Sequence, residues 1–219
     1  METPSLVSNA LRGVEQYNPK NMGIFESHLY SQFEKGFYNK DSNLALLTLY
    51  KYWPERSKLY ETCLVLMKAM TAFPQDDFMM CHFLVSDPDD PTIRRILDLA
   101  RLLEVCSYPE FWSEYEKVKS EINLPTNAHI EDGIRKFILY TVEMTFQTVK
   151  SDILADMLNV RSSTELDKII AAKKWKRDGN LIYTHDHSNI GKLKKTHDQV
   201  DLKSVLSLTV RASKLGLRN

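Results

Sequence analysis

The stretch SSTELDKIIAAKKWKRDGNLIYT, residues 162–184, combines the start of a helix with a hairpin. Its first four residues, Ser162 to Glu165, fit a capping box, which predicts that a helix begins there. Asp178-Gly179 favours a type I′ turn, and the apolar run from Leu181 to Thr184 suits a second strand. A helix followed at once by a hairpin is the closing half of a winged helix.

The segments on either side of this stretch fit the same fold. Asn127 is a candidate N-cap for a long helix that runs to about Gln147, and Ser151 is one for a short helix that ends near Asn159. After a polar loop, Asp201 is a candidate N-cap for a last helix. The order of helix, helix, turn, helix and hairpin therefore predicts a winged helix with an additional helix behind it.

The chain before residue 125 contains a series of short helical patterns joined by tight polar turns. Apolar residues recur at spacings of three and four, and a capping residue or a proline opens most segments. The segments start at Asn18-Pro19, Asp41, Glu55, Asp76, Asp90-Pro91 and Tyr108-Pro109. Such a series is typical of antiparallel helix pairs that stack as an irregular solenoid or a compact bundle.

Charge and proline are distributed unevenly along a chain whose formal net charge is zero. Residues 126–219 carry 16 Lys and Arg against 11 Asp and Glu, whereas residues 1–125 carry 13 against 18. All eight prolines lie before residue 126. This shift predicts a domain boundary near Pro125-Thr126, with a helical domain at 1–125 and a winged-helix domain at 126–219.

The three cysteines, Cys63, Cys81 and Cys106, lie in apolar helical patterns. An odd number of cysteines in such settings favours buried, reduced thiols in a cytoplasmic protein. The amino terminus lacks the basic start and apolar run of a secretory signal. No apolar stretch reaches the roughly 20 residues that span a bilayer. These observations predict a cytoplasmic location and no membrane partner.

No set of residues in the sequence predicts catalysis or a bound cofactor. His185, His187 and His197 could bind a metal, but nothing in the sequence supplies the remaining ligands and the groups that would orient them. Cys81 and His82 are adjacent, so their side chains point apart on a helix. Glycine-rich phosphate loops and the HExxH and GxSxG patterns are absent. We therefore predict that the protein is not an enzyme and has no cofactor and no metal.

The predicted recognition helix carries charges that suit helix stability more than the reading of DNA. Glu165 and Asp167 lie in the half that would enter a major groove, where phosphates would repel them. Most lysines come at the end of the helix, where they favour the helix dipole. Looser contact with RNA phosphates stays open as an alternative. It would involve a basic set composed of Lys173, Lys174, Lys176, Arg177, Lys192, Lys194 and Lys195.

Two apolar patches favour contacts with other proteins. A winged helix has a small sheet, and an exposed edge of that sheet can pair with a neighbouring chain. The second hairpin strand is apolar at successive positions, which predicts one face in the core and one that needs cover. The last helix carries a wide apolar stripe. The predicted subunit interface comprises Leu181, Ile182, Tyr183, Val205, Leu206 and Leu208.

Several segments, taken in order, resemble one family of proteins. They are Tyr17-Asn18-Pro19, NLALLTLYKYWP (43–54), TIRRILDLARLLEVCSYPEFW (92–112), IRKFILYTVEMTFQTV (134–149), ILADML (153–158) and LIYT (181–184). The series resembles the PCI-domain proteins, which scaffold the proteasome lid, the signalosome and eukaryotic translation initiation factor 3. Within this group it is most similar to the k-subunit family of the initiation factor.

The resemblance implies a mainly α fold, in which an irregular HEAT-like helical repeat domain precedes a PCI-type winged helix. It also implies a non-catalytic scaffold subunit that acts in translation initiation on the small ribosomal subunit. The winged helix would extend a sheet shared with a sister subunit, the l subunit, and the last helix would join a bundle of several subunits. The alternatives are a nucleic-acid-binding winged helix and a scaffold subunit of the proteasome lid or the signalosome.

Overall fold

The computed structural model describes residues 3–125 and 128–184 of the chain. Before Pro125 it contains the helices α1 (Thr3–Ala10), α2 (Met22–Lys35), α3 (Lys40–Tyr52), α4 (Leu59–Ala69), α5 (Asp77–Leu84), α6 (Pro91–Glu104) and α7 (Tyr108–Glu121). After residue 127 it contains α8 (Ala128–Thr145), β1 (Thr148–Lys150), α9 (Ser151–Leu158), α10 (Ser163–Lys173), β2 (Lys176–Asp178) and β3 (Leu181–Tyr183). This order confirms the prediction of a mainly helical protein with a winged helix behind its helical series.

Part of the sequence-based prediction lies outside the described residues. It concerns the interface residues of the last helix, the distal lysines and the candidate metal ligands, namely Val205, Leu206, Leu208, Lys192, Lys194, Lys195, His185, His187 and His197. Their roles stay predictions. Among the helices of the described part, none combines the length and the apolar character needed to cross a membrane.

Caps set the ends of several helices in the first part of the chain. Gly36 ends α2 with a φ of +70°, in the left-handed region that favours glycine. The Asp90 carboxylate accepts hydrogen bonds from the backbone N–H groups of Thr92 and Ile93, at 2.8 and 3.3 Å. With Pro91 as its first residue, α6 therefore starts as the Asp90-Pro91 pair predicts.

Three predicted caps differ from the structure. Ser151, predicted as the N-cap of α9, is the first residue of that helix, and the N-cap is Lys150. Asp41 lies in the first turn of α3, and the N-cap is Asn39, whose side chain accepts a hydrogen bond from the Ser42 N–H at 3.2 Å. A carboxylate is favourable both at the N-cap and in the first turn, because both positions lie at the positive end of the helix dipole. The sequence pattern therefore placed the N-cap of α3 two residues too late. Ser162 is the N-cap of α10, but its hydroxyl lies 2.7 Å from that of Thr164 and makes no capping bond.

Helix α4 is the centre of the first part of the chain. Its residues from Thr62 to Ala69 are all buried, because α2, α3, α5 and α6 contact it. Only the start of the helix reaches the surface, where Leu59 is 44 % exposed. Lys68 is buried too, with its ammonium 5.2 Å from the centre of the Phe33 ring. Burial lowers the pKa of Lys68.

The three strands form an antiparallel sheet in the order β1-β3-β2. Ile182 in β3 lies opposite Val149 in β1 and Arg177 in β2. Val149 and Ile182 are buried, so this face of the sheet belongs to the hydrophobic core. The turn between β2 and β3 consists of Gly179 and Asn180, one residue later than predicted. Only Gly179 has a positive φ there, which excludes the predicted type I′ turn.

The two parts of the described chain pack together at the carboxyl end of α9. The Trp112 indole N–H donates to the Met157 carbonyl at 2.9 Å, and the Arg135 Nε–H donates to the Leu158 carbonyl at 3.1 Å. The Arg135 guanidinium also lies 5.5 Å from the centre of the Trp112 ring. The Arg135 guanidinium and the Trp112 N–H satisfy two carbonyls that have no partner within α9, and both stabilise its carboxyl end. The described residues on both sides of Pro125 thus belong to one compact unit, and the predicted domain boundary stays a prediction.

Replacing Trp112 with phenylalanine is expected to lower the free energy of unfolding by about 1–2 kcal/mol, because the Met157 carbonyl loses its donor in a partly buried place. Urea denaturation followed by circular dichroism measures this change. Trp53→Phe, at a partly buried tryptophan just beyond α3, controls for the smaller ring. Equal losses in both variants would show that ring size accounts for the effect and that the hydrogen bond does not.

Candidate functional site

The face of the sheet that points away from the core is exposed over its whole width. We define the outer face as the residues that alternate along the strands with the inward-pointing positions. It consists of Thr148, Lys150, Lys176, Asp178, Leu181 and Tyr183, all of which are exposed. Leu181 and Tyr183 lie on the central strand and are 41 % and 42 % exposed. The outer face therefore has an apolar centre and charged margins, and the described residues leave it uncovered.

The exposed edge expected for a winged-helix sheet is not supplied by the second hairpin strand. β3 is central, because β1 pairs with one of its sides and β2 with the other. Ile182, an interface residue in the sequence-based prediction, is 0 % exposed and lies in the core. The prediction missed β1 because it assigned no strand between the helices that precede the hairpin. The signal was present in Thr148-Val149-Lys150, which has two β-branched residues, but three residues are too few to predict a strand.

Within the described residues, the open edges of the sheet belong to β1 and β2. β2 consists of Lys176, Arg177 and Asp178, and charged side chains of this kind protect an edge against pairing with another chain. β1 carries a single charge, that of Lys150. β1 is therefore the edge better suited to pair with a partner strand.

The described members of the predicted basic set differ in how far their charges are paired. The Lys173 ammonium lies 2.7 Å from a carboxylate oxygen of Glu143, and Arg177 pairs with a carboxylate on α10. Lys174 and Lys176 are exposed, and neither forms an ion pair with a described residue. Because two of these four cations are neutralised locally, contact between this set and RNA stays a prediction.

The two buried cysteines show no sign of nucleophilic chemistry. Cys63 and Cys81 are buried as predicted, and burial raises the pKa of the two thiols to about 11 and about 12. Cys106 was predicted to be buried and is exposed, because α6 ends at Glu104 and Cys106 follows with a φ of +60°. No three His, Cys, Asp or Glu side chains of the described part lie close enough together to hold a metal ion.

Helices packed in series and followed by a winged helix define a PCI-like helical protein. A protein-family model described as the CSN8/PSMD8/EIF3K family matches residues 57–192, which span most of both parts of the chain. The chain belongs to this family.

The chain is also similar over most of its length to curated proteins named eukaryotic translation initiation factor 3 subunit K. The protein from Nematostella vectensis is 31% identical over 210 residues, which cover 94% of this chain and 96% of the relative. The protein from Xenopus laevis is 32% identical over 203 residues, covering 91% and 92%. The protein from Danio rerio is 30% identical over 205 residues, covering 92% and 93%. These relatives confirm the resemblance to the k-subunit family.

Proposed function

We propose that the chain is a non-catalytic subunit of eukaryotic translation initiation factor 3 that acts in translation initiation on the small ribosomal subunit. Similarity to subunit K proteins over at least 91% of this chain supports the proposal. A subunit of that factor works in the cytoplasm, and we place this chain there.

The outer face of the sheet is the surface that we assign to a sister subunit, the l subunit. One observation carries this assignment: Leu181 and Tyr183 are both more than 40 % exposed, while Ile182 between them is fully buried. No described residue covers the exposed parts of these two side chains. A partner that covers them gains roughly 25 cal/mol for each Å² of apolar surface removed from water.

Sheet extension through a partner strand is the second element of the proposed contact. The edge available for it is that of β1, since charged residues protect β2 and β3 is paired on both sides. The last helix, through Val205, Leu206 and Leu208, remains a proposed third contact, in a helical bundle built from several subunits.

Tyr183→Glu is expected to abolish co-purification with a tagged l subunit when the two chains are co-expressed. The change places an unpaired charge at the centre of the proposed contact, where it would lose its hydration. The exposed position of the side chain predicts that the variant still folds, and circular dichroism checks this. Val105→Glu, at a residue 62 % exposed at the end of α6, is the control and should co-purify normally.

Two outcomes would distinguish a wrongly assigned surface from a wrongly proposed function. Undiminished co-purification of a folded Tyr183→Glu variant would contradict the assignment of the outer face. If the unchanged protein failed to co-purify with any subunit of the initiation factor, the proposed function itself would be wrong.

A further inference from the structure

Helix α5 has apolar residues on the side that faces water as well as on the side that faces the core. Residues 78–85, FMMCHFLV, contain no Asp, Glu, Lys or Arg. Phe78 and Cys81 are buried, whereas Met79 and Met80 are each 44 % exposed and Phe83 is 67 % exposed. A helix that is apolar all round is normally covered all round. The described residues cover only one side of α5.

Helix α3 packs beside α5. The two helices run in the same direction, since Lys40 Nζ lies 2.7 Å from an Asp77 carboxylate oxygen at one end and Lys51 Nζ donates to the Phe83 carbonyl at 2.8 Å at the other. Met79, Met80 and Phe83 lie on one face of α5 and form an exposed apolar patch, which we call the α5 patch.

A groove of about 280 Å³ lies beyond the carboxyl end of α5. Leu59, Val85 and Ile93 contribute apolar lining, and Asp87 contributes a carboxylate. Val85, which lines the groove, follows α5 directly in the chain. A volume of this size accommodates one large side chain.

Negative charge borders the α5 patch. The carboxylate of Asp77 pairs with Lys40, and those of Asp41 and Asp76 are near enough to act on the same ammonium. Three carboxylates against one ammonium leave an excess of negative charge at the amino end of α5. Asp87 adds a further carboxylate at the opposite end. At that end, the Lys51 ammonium donates to the Phe83 carbonyl in the last turn of α5.

We propose that the α5 patch docks an amphipathic helix of a partner protein, with an apolar stripe flanked by lysine and arginine. Exposed methionines adapt their shape to an incoming helix, and a helix laid along an apolar patch beside a groove is a common mode of recognition. The acidic border selects basic flanks on that helix. This surface lies on the helical part of the chain, and the proposal does not depend on the role assigned to the outer face of the sheet.

Fluorescence anisotropy with two labelled synthetic peptides tests the proposal. One peptide is an amphipathic helix of leucine and lysine, and the other has glutamate at every lysine position. The unchanged protein is expected to bind the basic peptide and to bind the acidic one at least about tenfold more weakly. The double variant Met80→Gln/Phe83→Gln is expected to bind the basic peptide about tenfold more weakly than the unchanged protein.

Two further variants make the test specific. Asp41→Asn/Asp76→Asn is expected to weaken binding of the basic peptide and to reduce its dependence on salt, because it removes the acidic border. Tyr183→Gln, at an exposed aromatic residue on the outer face of the sheet, is the matched control and should leave the affinity unchanged. If the double variant at positions 80 and 83 loses helical circular dichroism, Met79→Gln replaces it.

Equal affinity for the two peptides, or undiminished binding by the Met80→Gln/Phe83→Gln variant, would overturn the proposal. So would a dimer in sedimentation velocity that the same variant dissociates, because the occupant would then be a second copy of this chain. Loss of binding in the Tyr183→Gln control would place the peptide on the sheet and would also contradict it.

Discussion

Replacing Ile182 with aspartate is expected to lower the free energy of unfolding by more than about 3 kcal/mol. The side chain is 0 % exposed and lies opposite Val149 in the register of the sheet. The substitution removes a buried apolar side chain, which contributes about 1.5–3 kcal/mol, and adds an unpaired carboxylate to the core. Urea denaturation followed by circular dichroism measures the loss, and amide hydrogen exchange is expected to show that the three strands open first.

Tyr183→Asp is the matched control, since it introduces the same charge one residue further along the same strand. Tyr183 points to the outer face and is 42 % exposed, so the expected change in the free energy of unfolding is within about 0.5–1 kcal/mol. Similar losses in the two variants would mean that the inward and outward faces of β3 are assigned wrongly. The comparison also bears on the co-purification experiment. An Ile182 variant that fails to co-purify would show only that the fold is lost, and would say nothing about the proposed interface.

Gly133→Val is expected to lower the free energy of unfolding by about 1–3 kcal/mol, the usual range for an overpacked contact. Gly133 lies within α8, where the helix packs against the 3₁₀ turn Met70–Ala72 that follows α4. A Cβ atom at this position would lie 2.7 Å from the Cβ of Thr71. The atom it meets is attached to the main chain, so the backbone of one helix has to move. Thermal or urea unfolding of the purified variant measures the effect.

Two further variants test whether the effect comes from the contact between Gly133 and Thr71. Gly23 lies in α2 with nothing within 4 Å of an added Cβ, so Gly23→Ala is expected to stabilise the protein slightly, by about 0.5–1 kcal/mol. When Gly133→Val is combined with Thr71→Gly, the double-mutant cycle is expected to give a coupling free energy of about 1 kcal/mol or more between the two positions. Absence of coupling would show that Thr71 is not the group that Gly133 accommodates.

Much of the helical part follows from local patterns in the sequence. Gly36 ends α2 and Asp90 caps α6 because each of these effects depends on a few neighbouring residues. The surroundings of α4 do not follow in this way. Apolar residues occupy most of its positions, and only the contacts with four other helices explain why even Lys68 is buried.

The candidate site could be predicted in part. The apolar run in β3 correctly identifies the strand that supplies the exposed apolar residues, Leu181 and Tyr183. The run cannot tell which of three apolar neighbours points inward, because a shift of one residue exchanges the two faces. The α5 patch escaped the sequence analysis altogether, since an apolar helix that is exposed on one side has the same pattern as a helix in the core.

By itself, the amino-acid sequence determined the succession of helices and the winged helix, because capping residues, turn residues and apolar spacing act over short distances along the chain. The family followed from the resemblance of an ordered series of segments to known proteins. Only the tertiary structure decided that β3 is the central strand, that Ile182 is core and that Tyr183 is surface. The reason is physical: β3 becomes central only when Thr148–Lys150 pairs with it from far away in the chain. Such pairing depends on how the helices in between bring the two segments together, so it cannot be predicted from the residues of either strand alone.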